Sequence, residues 1–148
     1  MNIQISDIGH IIQLSIAPVF LLTGVGTNLM VLTNRLARII DRTRVLEDKL
    51  DLGYNEDHME ELDVLFQRMG LINTAITLSA ICGLLVCCVI AMLFLADTTD
   101  LPLDKYVAAA FVLAMIALTT ALLVFLREIF IASRSLQSRR HTRPPVQQ

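Results

Sequence analysis

Residues 11–44 read IIQLSIAPVFLLTGVGTNLMVLTNRLARIIDRTR, and the change of character along this stretch decides the class of protein. From Ile11 to Thr33 there is no acidic or basic side chain, and a hydrocarbon core of about 30 Å takes about 20 helical residues to cross. From Arg35 onward charges recur every few residues, while Leu36, Ile39, Thr43, Leu46 and Leu50 keep alternating three- and four-residue steps. The expectation is one helix that crosses a membrane and continues beyond it.

The same signal occurs twice more, at about 71–96 and 106–126. With 55% hydrophobic residues, no Trp and a mean hydropathy of +0.64, the chain sits on the apolar side of soluble proteins. The fold class expected is an all-α membrane protein, a single unit of three transmembrane helices over 1–148. Asp7 and His10 stand where a secretory signal would carry its basic residues, so the first span reads as retained.

Basic residues set the orientation, because short positive loops stay in the cytoplasm. Arg35, Arg38, Arg42, Arg44, Lys49 and Arg68 lie between the first two spans, and Arg127, Arg134, Arg139, Arg140 and Arg143 follow the third. Only Lys105 lies on the other side. The N-terminus is expected outside and the C-terminus inside, in a bacterial inner membrane.

Between the first two spans, about 35–69, the apolar steps of the first helix are mirrored by Leu62, Leu65, Met69, Ile72 and Ile76. Gly53 reads as a stop and Asn55 as an N-cap, with Glu56 and Asp57 in the next first turn. A cytoplasmic helical hairpin of coiled-coil spacing follows, extending both spans by roughly 25 Å. Two short helices share only one narrow apolar stripe, so neighbouring copies are expected to complete it in a homo-oligomer. The outer connection is brief, acidic and interrupted by Pro102. The end of the chain, about 136–148, has no periodic apolar residues and reads as a disordered basic tail able to touch anionic lipid.

Catalytic signals are weak. His10, His58 and His141 lie in separate segments, and no serine, cysteine or acid has a histidine partner at a recognisable spacing. Cys82, Cys87 and Cys88 fall at membrane depth, where they serve as small packing groups. The acids around His58 lack the alternating ligands of a calcium loop and read as a solvated helix start. No enzyme activity, cofactor, metal or nucleic acid is expected.

The TGVGTN at 23–28 resembles a potassium-channel filter, but such a filter needs extended backbone beside a separate pore helix, which one crossing cannot supply. The more informative feature is a stripe. At 100° per residue, Gln13, Ala17, Gly24, Thr27, Asn28, Asn34, Arg35, Arg38 and Arg42 fall within about 60° of one line. On one reading it lines a pore between copies, with rings of Arg35, Arg38 and Arg42 at the cytoplasmic mouth. On the other, Gly24 and Ala17 admit a neighbouring helix and the amides bond across the contact. Asn73, Thr77, Ala80, Cys87 and Ala91 form a weaker stripe on the second span, and Thr119 and Thr120 interrupt the third.

RLARIIDRTRVLEDKL directly after a proline-containing span, followed by LDVLFQRMGLINTAITLSAICGLL, resembles an uncharacterised family of small bacterial membrane proteins over about residues 12–130. The most specific part is the run from Arg35 to Arg44. The resemblance implies three spans in a bacterial inner membrane and lends no activity. The architecture is also similar to proton-channel subunits of energy-coupling complexes, though the cytoplasmic loop is much shorter and no motif is shared. The leading functional expectation is a homo-oligomeric ion channel or pore lined by the first span. The other is a non-conducting scaffold or accessory subunit that holds protein partners or membrane lipids through the hairpin and tail.

Overall fold

The computed structural model describes residues 5–52, 56–99 and 102–142. They form three helices: α1 at Ile5–Leu52, α2 at Glu56–Thr99 and α3 at Asp104–Thr142. With 48, 44 and 39 residues, each is longer than the roughly 30 Å of hydrocarbon requires. All three contain stretches long and apolar enough to cross a membrane, with mean hydropathies of 1.7, 2.8 and 2.6. The expected Gly53 stop and Asn55 cap lie outside the described residues. α1 runs unbroken through Pro18, which is buried.

α3 starts two residues after Pro102, which has no amide hydrogen to give. The Leu103 carbonyl accepts from the amides of Tyr106 and Val107 at 2.9 and 3.0 Å. Asp104 adds a negative charge to this first turn, where the helix dipole favours it.

The buried residues explain how the helices pair. On α1 they include Pro18, Val25, Leu32, Ile39 and Leu46, each seven residues after the last. On α2, Leu65, Ile72, Ser79 and Val86 form one such column, and Ala75, Cys82 and Val89 form a second. On α3 the column is Ala114, Ala121 and Glu128. A seven-residue repeat keeps one stripe facing a partner when helices wind around each other in a left-handed sense.

α2 is the shared element. Leu32, Ile39 and Leu46 of α1 cluster with Leu65, Ile72 and Ala75 of α2, against which Val124 and Phe125 of α3 also pack. A second cluster joins Val25 to Cys82, Val86 and Ala114. Early residues of α1 meet late ones of α2, and early ones of α2 meet late ones of α3, so consecutive helices are antiparallel.

The remaining surface is apolar at membrane depth. Phe20, Met30, Leu84 and Leu123 are each more than 60% exposed. Such a surface would aggregate in water, whereas acyl chains solvate it as well as a protein core does.

Candidate functional site

The structure divides the polar stripe of α1. Asn28 and Arg42 pair with side chains of α2 and Arg35 with one of α3, while Gln13, Gly24, Thr27, Asn34 and Arg38 are exposed. The Asn28 amide donates from Nδ2 to Ser79 Oγ at 3.0 Å, and Ser79 is fully buried. An amide in hydrocarbon costs kilocalories without a partner. Here the partner is the next helix of the same chain.

The hydroxyls need no water either. Thr23 and Thr27 donate to the carbonyls of Val19 and Thr23 at 3.2 and 3.1 Å. Thr77, Thr119 and Thr120 bond one turn back in the same way, at 2.9, 2.8 and 2.8 Å. This back-bonding leaves a threonine free to face lipid. The second-span stripe, Asn73, Thr77, Ala80, Cys87 and Ala91, is exposed along its whole length.

The centre of polar chemistry lies at one end of the apolar segments. Glu128 of α3 is completely buried, and two arginines from the other helices meet it. Arg68 donates from Nε to Oε1 at 2.9 Å, with its Nη2 also 2.9 Å from that oxygen. Arg35 Nη2 lies 2.9 Å from Oε2 but outside hydrogen-bonding alignment, leaving that oxygen with a charge partner and no aligned donor. The Arg35 guanidinium also stands 5.3 Å from the centre of the Phe125 ring, within cation–π range. One carboxylate thus ties all three helices together.

Arg35 follows the first apolar run by two residues, Arg68 precedes the second by three, and Glu128 follows the third by two. The triad therefore lies within three residues of the end of each apolar run. Forming such a cluster offsets much of its Coulombic gain by desolvation, but losing one member strands buried charge.

Farther along, Arg42 grips Glu61 with two bonds, Nε to Oε1 at 3.0 Å and Nη2 to Oε2 at 3.2 Å. Arg35, Arg38, Ile39, Arg42, Leu65 and Arg68 line an open cavity of about 380 Å³ between α1 and α2. Among the described residues, no group of three His, Cys, Asp or Glu side chains comes together to hold a metal.

Sequence reasoning missed Glu128, Ser79 and the pairing role of Arg68. Glu128 falls just past the third apolar run, beside Arg127, where a charge reads as an end marker. Its spacing is the overlooked signal: it stands seven residues after Ala121 and fourteen after Ala114, on the column α3 turns inward.

Residues 15–138 match the family described as Protein of unknown function (DUF2721), a stretch that contains the whole triad and the arginine-lined cavity. No curated protein and no solved structure matches the chain. With its three helices long and apolar enough to cross a membrane, the chain is a multi-pass membrane protein belonging to the DUF2721 family.

Proposed function

We propose that the protein is a homo-oligomeric, non-conducting membrane scaffold whose paired α1–α2 extension holds partners at the membrane surface. The observation that carries this reading is the Arg35–Glu128–Arg68 cluster, which joins all three helices where the extension leaves the apolar segments. A fixed base converts an otherwise loose pair of helices into a rigid arm. The distribution of basic residues supports a cytoplasmic arm, an outside N-terminus and an inside C-terminus, the arrangement of an inner-membrane protein. No catalytic step is part of this function.

The channel reading comes second because Asn28, the amide deepest in the membrane, is paired with Ser79 inside one chain. Favouring it is the exposed remainder of the stripe: Gln13, Gly24, Thr27, Asn34 and Arg38 share one outward face of α1. Copies meeting on that face would surround a narrow path lined by Gln13, Thr27 and Asn34, with Arg38 at its inner mouth.

Ion flux through reconstituted full-length protein separates the two. A scaffold leaves flux at the level of protein-free liposomes across pH, voltage, calcium and tension. Flux above that level, reduced by Thr27→Leu but not by Asn28→Leu, would replace the scaffold with the channel.

A further inference from the structure

We infer that the arginine-lined cavity between α1 and α2 binds an anionic phosphate group. Four arginines, Arg35, Arg38, Arg42 and Arg68, line it beside Ile39 and Leu65. Two carboxylates answer them, Glu128 shared by Arg35 and Arg68, and Glu61 on Arg42. Four positive charges against two negative ones leave an excess of two. Arg38 is exposed and forms no ion pair among the described residues.

The chemistry is that of phosphate recognition. A guanidinium presents five N–H donors in a fixed fork, and each glutamate contact engages only one or two of them. The remaining donors of Arg35, Arg42 and Arg68 belong to side chains already immobilised by their carboxylates, so a ligand orders little on arrival. Arg38 supplies the free charge that closes on it.

Depth suits the same ligand. Arg35 and Arg68 lie within three residues of the ends of their apolar runs, and Arg38 follows Arg35 by three residues. The headgroup layer of a bilayer is about 5–7 Å thick on each side. A lipid phosphate reaches this level directly, and a soluble phosphate enters through the open mouth of the cavity. The site lies within one chain, so it stands independently of whether copies assemble or conduct.

Binding is measured on the full-length chain in neutral detergent, with two probes. Phosphatidylglycerol against phosphatidylcholine in mixed micelles, read as lipid retained per chain by native mass spectrometry, tests a lipid source. Inorganic phosphate, read by calorimetry without lipid, tests a soluble one. The expected result is saturable binding of one probe per chain, weakened about tenfold by Arg38→Gln and less by Arg38→Lys, as for one charge-assisted contact. Arg44→Gln, an exposed arginine outside the cavity, leaves it unchanged. Preference for phosphatidylglycerol identifies a lipid, and binding of phosphate alone identifies a soluble anion. Saturation by neither probe, or equal weakening by Arg38→Gln and Arg44→Gln, overturns the proposal.

Discussion

Glu128 and Glu61 are both glutamates paired with arginine, yet their surroundings give the two pairs different weight. Glu128 is fully buried and serves Arg35 and Arg68, whose side chains are 33% and 19% exposed. Arg42, the partner of Glu61, is 46% exposed, so water screens that pair. Neutralising Glu128 leaves two partly buried guanidiniums facing each other without a counter-charge. Glu128→Gln is therefore expected to destabilise the chain by about 3 kcal/mol. Arg42→Gln should cost less than about 1 kcal/mol. Unfolding of the full-length chain by denaturing detergent in mild micelles measures both, and equal losses would remove the triad from its role as the anchor.

At the level of the helix pair, Gly83 of α2 lies beside Val25 and Leu22 of α1. A Cβ placed on Gly83 would lie 3.6 Å from Val25 Cγ1 and 3.8 Å from Leu22 Cδ1, ordinary van der Waals contact. Gly83→Ala should thus be tolerated within about 0.5 kcal/mol, the methyl contact and better helix propensity offsetting any adjustment. Gly83→Leu has to displace Val25 and Leu22, an overpacking cost of about 1–3 kcal/mol. The same unfolding measurement distinguishes them, and a leucine as well tolerated as alanine would mean that α1 and α2 do not meet there. On α3 the buried small residues are Ala114, which packs with Cys82 and Val86 of α2, and Ala121, seven residues before Glu128.

For the whole molecule, the proposed assembly is tested on the outward face of α1. Gly24 and Gly26 have no neighbouring atom within 4 Å of where a Cβ would stand, so the single chain has no use for their smallness. In the proposed assembly a second copy would use it, because small residues let membrane helices approach closely. Gly24→Leu should leave the stability of the single chain within about 0.5 kcal/mol of wild type while lowering the mass of the assembly in detergent. Light scattering on the purified protein reads that mass. An unchanged assembly would exclude this face as the contact between copies.

Much of the architecture is legible in the sequence because it rests on local quantities. The apolar runs at 11–33, 71–96 and 106–126 are long enough to demand helices in lipid, since no other backbone satisfies its own hydrogen bonds there. The periodic Ile39, Leu46, Leu65 and Ile72 likewise announce their buried face, and all four are buried. The partners of polar side chains are a different matter. Asn28 lies on a stripe with Gln13 and Thr27 when one helix is considered alone, and only the rotation of α1 against α2 brings it to Ser79. Glu128 looks like one more charge beyond a membrane span until three antiparallel helices carry Arg35, Arg68 and Glu128 to one level. Helix formation and membrane depth follow from each segment's own hydrophobicity, whereas hydrogen bonds and ion pairs between segments depend on register and rotation, which exist only once the helices have packed.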